Sequence, residues 1–367
     1  MSYIGNKPTA VPLTSADLED NIISTAKIQD NAVTAAKYVE APSFRNLIIN
    51  GDMSIAQRGT SFTCSNSTGS KYTLDRFQYI DVDTPDSVYT ITPSTDVPTG
   101  QGFAKSLKVD VATADASLDA NDGTQIQQSI EAQNLQHLKI GTSSAESLTL
   151  SFWVKSNKTG TYVVRLLQPD SSSRMVSFAY TISSASTWEK KTISIPADTS
   201  GNINNDNGSG LNITWWLSAG SSYTSGSLAS TWQAYSNGDS AVGQVNLADN
   251  TANEWYITGV QLEVGTTASD FEFLPYDVNL QRCFRYYEKD TTEYICGHNN
   301  SNDFGSRWGH LQWKATKRAQ PSLTADPDAG NVNLTRRTIY GCGVTVGGAV
   351  NANGTVLPNG YIADSEL

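Results

Sequence analysis

The chain has 367 residues, of which 17% are charged, and a formal net charge of −11. That balance excludes the clustered Lys and Arg that phosphate binding needs, hence a nucleic-acid partner, and it disfavours docking on an anionic membrane. No apolar run is long enough to span a bilayer and the first residues carry no secretory pattern, so no membrane insertion is expected, and any export needs cell lysis or another route. Ser, Thr, Asn and Gly fill the polar surface, and these residues favour turns and strand edges over helix interiors. Cys64, Cys283, Cys296 and Cys342 lie far apart with no Cys-x-x-Cys pair. They read as small core residues with free thiols, in neither a zinc site nor a disulfide framework.

In chain order, Tyr3–Leu13 holds Pro8 and Pro12 and suits an extended peptide that docks on another protein. A ten-residue repeat follows, Leu18–Lys27 and Ile28–Lys37, in which Asp20/Asp30, Asn21/Asn31, Ala26/Ala36 and Lys27/Lys37 are identical. Its apolar positions also agree, Leu18 with Ile28 and Ile23 with Val33. So short a unit cannot bury its own apolar side and must lie against copies or partner chains. The expectation is an extended, intertwined oligomerisation stalk built on Leu18, Ile23, Ile28 and Val33; the alternative is a disordered leader.

Ala41-Pro42 marks a boundary, and Asn46–Gly51 reads as the first strand of a sandwich. Beyond it Leu107/Val109/Val111, Leu148/Leu150/Phe152/Val154, Tyr162/Val164/Leu166, Val176/Phe178/Tyr180/Ile182 and Leu211/Ile213/Trp215/Leu217 alternate with polar or outward residues. Tyr256, Thr258, Val260, Leu262 and Val264 are expected to share one face of the closing strand. Period-two alternation punctuated by turns marks half-buried antiparallel strands in two stacked sheets. The best helical stretch is short, Ala132–Lys139, and Asn202–Gly210 reads as a solvated loop without the spacing of a calcium loop. A second unit starts near Asn279 and reads as a small β-domain with long loops. The fold expected is therefore all-β in three parts: an N-terminal oligomerisation segment (1–40), a β-sandwich (41–277) and a C-terminal β-domain (278–367).

No catalytic constellation stands out. His137, His298 and His310 lack metal-ligand spacing, and neither a Gly-x-Ser-x-Gly elbow nor a phosphate-cradling Gly-rich loop occurs. No enzyme activity, cofactor or metal is expected, although a carboxylate pair from distant strands is invisible to sequence. The aromatic residues say more. With the strand phases above, Trp153 and Trp216 lie on faces away from the core, and Trp232 and Tyr235 sit in a turn-rich stretch. Exposed rings beside Asn, Gln and Ser suit the apolar faces and hydroxyls of a sugar. The same rings would equally suit a subunit interface, and both readings stay open.

Several motifs carry a resemblance. Asn46-Leu-Ile-Ile-Asn-Gly-Asp52, Ser151-Phe-Trp-Val-Lys155 and Trp255–Glu263 resemble the opening, middle and closing strands of carbohydrate-binding jelly rolls. Extended by Met53, Ala56–Gly59, Gln133–Gln136, Gly243–Ala248, Gly259–Gly265, Arg285–Tyr287, the N-terminal repeat and the Ala363–Leu367 ending, the pattern resembles bacteriophage tail fibre proteins over most of the chain. The resemblance implies a homotrimeric receptor-binding fibre on a virion, with 1–40 as a virion-attachment and trimerisation segment, 41–277 as a jelly roll and 278–367 as a distal domain. It would attach to other tail or baseplate proteins through its N-terminus and present a glycan-binding part to the host surface. Carbohydrate-binding jelly rolls often place an Asp in the closing strand for a structural calcium; here Ile257-Thr258 stand there. A structural virion fibre without receptor binding and a polysaccharide-degrading enzyme are the alternatives.

Overall fold

The computed structural model describes residues 44–170, 172–290, 294–295, 307–325, 332–346, 355–357 and 360–367. The stalk residues Leu18, Ile23, Ile28 and Val33 lie outside this set, as do Cys296 and His298.

The alternating segments become two antiparallel sheets facing each other as a jelly-roll β-sandwich. The first has the spatial order β1 (Phe62–Cys64), β4 (Val88–Ser94), β5 (Ser106–Thr113), β13 (Glu254–Val264), β7 (Leu148–Ser156), β10 (Glu189–Ile195). The second runs β12 (Gln233–Ala234), β9 (Arg174–Ile182), β8 (Gly160–Gln168), β11 (Ser209–Ala219), β6 (Gly123–Glu131), β3 (Gln78–Val82), β2 (Lys71–Tyr72). Consecutive strands such as β5 and β6, or β7 and β8, belong to different sheets, so the chain keeps crossing over the core.

Inward positions follow the alternation. Leu148, Leu150, Phe152 and Val154 from one sheet meet Tyr162, Val164, Leu166, Leu211, Ile213, Trp215 and Leu217 from the other. Phe152 sits edge-on to both Tyr180 (centroids 5.2 Å apart) and Trp215 (5.9 Å), the geometry that aromatic quadrupoles favour. A short 3-10 helix covers Ala132–Leu138 and inserts Leu135 and Leu138 into the same core. Cys64, Cys283 and Cys342 are buried free thiols.

Two local expectations are corrected. Along β13 the inward residues are Trp255, Ile257, Val260 and Leu262, not one unbroken alternation from Tyr256. A bulge between Thr258 and Gln261 resets the phase, with Gly259 at φ +62. An extra residue in one strand does this, and glycine takes the left-handed turn at no steric cost. Tyr256 and Thr258 consequently face outward.

Asn46–Gly51 is not a ladder strand either, although it lies where a strand would. It follows the edge of β13 that β5 leaves free beyond Ile257. Leu47 N–H donates to Leu262 O (2.9 Å) and Val260 N–H to Gly51 O (2.9 Å). The Asn46 side chain supplies the rest, donating to Val260 O and accepting from the N–H groups of Ile48 and Leu262. From the other sheet, Gln128 brackets Ile49, its Oε1 accepting from the Ile49 N–H (2.8 Å) and its Nε2 donating to the Ile49 carbonyl (3.0 Å). Asn50, at φ +61, then turns the chain. Gly51 is needed because a Cβ there would stand 2.1 Å from Val260 O.

Downstream, helix α2 (Tyr276–Phe284) leads into β14 (Tyr287–Asp290), which joins β21 (Tyr361–Asp364) and β17 (Ser322–Ala325) in a three-stranded sheet. A second three-stranded sheet contains β16 (Arg307–Gln312), β19 (Gly341–Val346) and β18 (Val332–Thr335), and β15 (Tyr294–Ile295) pairs with β20 (Thr355–Leu357). Residues 44–367 form one compact unit.

Charged side chains fasten the C-terminal part to the sandwich. Arg285 grips Glu131 with two 2.7 Å hydrogen bonds. Arg76 lies 3.5 Å over the Tyr286 ring, donates to Ser129 O and pairs with Glu366. Asn207, in the loop before β11, exchanges hydrogen bonds with the Arg318 backbone carbonyl and guanidinium.

Candidate functional site

On the second sheet, residues that alternate with the core line up across five strands. Ser177 of β9 pairs with Arg165 of β8, Arg165 with Thr214 of β11, Thr214 with Gln127 of β6, and Gln127 with Gln78 of β3. Their chain neighbours Val164, Ile213 and Ile126 point into the core, so this row lies on the outer face. The row is polar throughout. Thr214 Oγ1 donates to Gln127 Oε1 (3.0 Å), and Gln127 Nε2 reaches Ser129 Oγ (3.3 Å).

Each flank of the row is walled. At the Ser129–Glu131 end stand Arg76, Arg285 and Tyr286, held as described. On the other side the segment between β11 and β13 folds back over the sheet. It opens with the single-turn helix α1 (Ser221–Thr224) and a 3-10 turn at Asn237–Asp239. Tyr223 and Ala241 from this segment pack with Val163 and Trp216 in a small cluster separate from the main core. Trp216 and Tyr223 rings lie 5.2 Å apart. Asp239 braces the segment, accepting from Ser227 N–H (2.8 Å) and Gln233 Nε2 (2.9 Å). The backbone hydrogen bond from Ser227, then Gln233 and Ser236, hold its carboxyl below the usual carboxylate range. Tyr235, fixed by its N–H to Ser173 O, is 39% exposed at the margin.

Arg165 stands in the middle. Its guanidinium carbon is 5.4 Å from the Trp216 ring centre and 5.7 Å from that of Tyr235, within cation–π range. Burial pulls it below the ordinary arginine value, partly offset by the facing Tyr235 and Tyr223.

The predicted site residues fall in three places. Trp216 and Tyr235 come together around Arg165. The outward phase expected for Trp216 is correct, but the exposure is corrected: its ring is fully buried under the 219–241 segment and offers no free plane for stacking. Trp232 is half-buried against the main core and donates from Nε1 to Pro196 O (2.8 Å), so it seals the sandwich beside β9. Trp153 lies on the opposite sheet, between Lys190 and Thr258 in register and beside Gly259, away from the other three.

That opposite face carries aromatic rings the sequence reading missed. Tyr256 and Trp188 meet at 6.0 Å, with Lys155 over both. Its polar groups are mutually satisfied: Lys155 and Trp188 Nε1 both reach Asp96, and Lys108 pairs with Asp110 and Glu254. Arg165, Thr214 and Gln127 were also missed. The available signal was a single Arg on the outward phase of the apolar run Tyr162–Leu167. Among the described residues no group of three or more His, Cys, Asp or Glu could hold a metal ion.

No family model matches the chain, and no curated protein matches it in sequence. Solved structures with a similar course include a putative sugar-binding protein from Bacteroides thetaiotaomicron, 12% identical, covering 60% of this chain and 100% of that one with a TM-score of 0.33. The family 11 carbohydrate-binding module of Clostridium thermocellum, in complex with a β-1,3-1,4-linked tetrasaccharide, is 10% identical over 57% and 98%, with a TM-score of 0.28. The enzymatically active domain of tailspike protein 4 of bacteriophage CBA120 is 13% identical over 61% of this chain, with a TM-score of 0.32. The match spans 22% of that tailspike chain. At such loose overlap, the chain's own residues have to carry the functional reading.

Proposed function

We propose that the chain is a carbohydrate-binding protein of a bacteriophage fibre, a receptor-binding homotrimer that holds a host-surface glycan non-covalently. The observation that carries this reading is the outer row Arg165–Thr214–Gln127–Gln78. Guanidinium and amide groups there lie side by side along a sheet, with the buried Thr214 hydroxyl holding Gln127, walls on two flanks and the half-exposed Tyr235 ring at one margin. Sugar recognition needs this combination: hydrogen-bonding groups in fixed register for the hydroxyls and a ring edge for the C–H face. The fibre assignment rests on the resemblance of the motifs, and attachment to other virion proteins is assigned to residues 1–40. Three weak sites on one trimer would raise avidity without new contacts.

The test is binding of the full-length protein to surface polysaccharides extracted from a bacterial panel, beside Tyr235→Ala and Gln127→Ala/Thr214→Val variants. At least one polysaccharide should bind, both variants should weaken it several-fold, and no new reducing ends should appear on incubation. Binding unaffected by either variant would place the glycan elsewhere. New reducing ends would make the chain an enzyme. A light-scattering mass of one 39.6 kDa chain, rather than three, would remove the trimer.

A further inference from the structure

The central cation of the row has no counter-charge. Arg165 is only 7% exposed, yet among the described residues no carboxylate lies within ion-pair distance of it, and its Nε has no hydrogen-bond partner. Arg76 pairs with Glu366, Arg58 with Glu366 and Asp364, and Arg285 with Glu131, whereas Arg282, also without a carboxylate, donates to the Asn46 carbonyl. Beside Arg165 a second donor, Trp216 Nε1, is also buried without a partner. Arg58 and Arg76 Nε and Trp215 and Trp255 Nε1 also lack partners, but at Arg165 two such donors coincide with a missing counter-charge, against the rule that buried polar groups are paired. An uncompensated cation at such a place costs stability, and an apolar side chain of similar size would avoid that cost. The neighbouring acceptors do not resolve the deficit. Gln127 Oε1 is occupied by Thr214, and the hydrogen bond between the guanidinium and Tyr235 leaves Nε and Trp216 Nε1 unmatched.

We propose that the glycan held on this row is acidic, and that Arg165 receives its oxyanion, a sugar carboxylate or a sugar phosphate. The planar guanidinium fork binds both groups bidentately. Gln127, held by the buried Thr214 hydroxyl, and Gln78, further along the row, then meet the hydroxyls of the same or adjoining residue. Trp216 and Tyr235 flank the guanidinium and limit the angles from which the anion can approach. The overall charge of −11 does not oppose this, because charges more than about 10 Å away are largely screened at ordinary ionic strength. Part-way burial strengthens the local pair, which makes the charge a selector among sugars of similar shape.

This inference rests on the glycan-binding reading, and one experiment separates the two. Calorimetry with the full-length protein uses oligomers of glucuronate, galacturonate and mannuronate, each beside its carboxyl-reduced neutral counterpart, and a phosphodiester-linked oligosaccharide beside its dephosphorylated units. At least one acidic ligand should bind tenfold or more tightly than its neutral counterpart. Arg165→Met should abolish that difference while keeping the neutral affinity, and Arg165→Lys should retain part of it. The carboxylate and phosphate arms identify the source of the anion. Equal binding of an acidic ligand and its counterpart, or a preference that survives Arg165→Met, overturns the acidic assignment and leaves glycan binding standing. No binding to any saccharide overturns both. Should Arg165→Met fail to fold, titration of the Arg165 Nε–H resonance in the unaltered protein decides: it should shift with the acidic ligand and not with the neutral one, and the reverse result refutes the proposal.

Discussion

Replacing Asn50 tests why the opening segment of the sandwich has its composition. The side chain is 1% exposed. Its Nδ2 donates to the carbonyls of Ile55 (2.9 Å) and Asp75 (3.0 Å), and its Oδ1 accepts from the Ile55 N–H (2.9 Å). Asn50→Ala therefore orphans the Ile55 N–H and the Asp75 carbonyl in a buried place, at about 1 kcal/mol each on a conservative count, while the Ile55 carbonyl keeps the Asp75 N–H at 3.2 Å. Alanine at φ +61 adds about 1 kcal/mol of left-handed strain. The expected loss is about 3 kcal/mol, a large share of a domain's stability. Asn50→Gly removes the strain and leaves the two orphans, so it should lose about 2 kcal/mol. Urea unfolding followed by tryptophan fluorescence gives both values. If Asn50→Ala falls within about 1 kcal/mol of the parent, water or backbone relaxation satisfies those groups and the reasoning fails. If the Gly variant is no better than Ala, the backbone angle carries no strain.

Other outcomes follow from the same contacts. Lys317 and Glu288 are both fully buried, Nζ to Oε2 2.8 Å apart; Lys317→Met should cost about 3–5 kcal/mol by stranding the carboxylate, and adding Glu288→Gln should recover most of it in urea midpoints. Gly259→Ala would place a Cβ 2.6 Å from the Phe103 ring at φ +62, so a loss of about 2 kcal/mol is expected in thermal unfolding. Burial raises the Glu131 carboxyl, but the Arg285 hydrogen bonds outweigh it and hold the group below its ordinary 4.5. A carboxyl depressed in the folded state stabilises fully above that value and loses its contribution as pH falls through the folded pKa. Arg285→Gln should therefore flatten the acid limb of the stability profile between about pH 3 and pH 6; an unchanged profile would show that the pair is energetically silent.

Much of the sandwich was legible because strand period and burial coincide. Leu148 to Val154 and Leu211 to Leu217 face the core in the phases read from sequence. The phase failed at β13, where Gly259 carries the only local mark of the bulge, and an isolated glycine in a strand is ambiguous between weakness and a register shift. Asn46–Gly51 misled for a different reason. Its apolar pattern is strand-like, but asparagine side chains take over the ladder bonds, and sequence does not reveal which polar groups turn inward. The site was half legible. Outward phase placed Trp216 and a turn-rich stretch held Tyr235, but burial of Trp216 by residues seven to twenty-five positions further on is a tertiary event. Arg165 was visible only as a lone cation in an apolar run, and its missing counter-ion is a property of three dimensions.

The position of β13 between β5 and β7 also dictates an order of assembly. The central strand of the first sheet is its last to leave the ribosome, and the groove edge for Asn46–Gly51 comes with it. Until Glu254 emerges, β4–β5 and β7–β10 are two separate ribbons whose inner edges have nothing to bond. Contacts so distant in sequence form slowly, and open edges attract one another between molecules. A nascent chain halted just short of this strand should be a far stickier species than the finished one, and synthesis at low temperature or with chaperones present should raise the soluble yield.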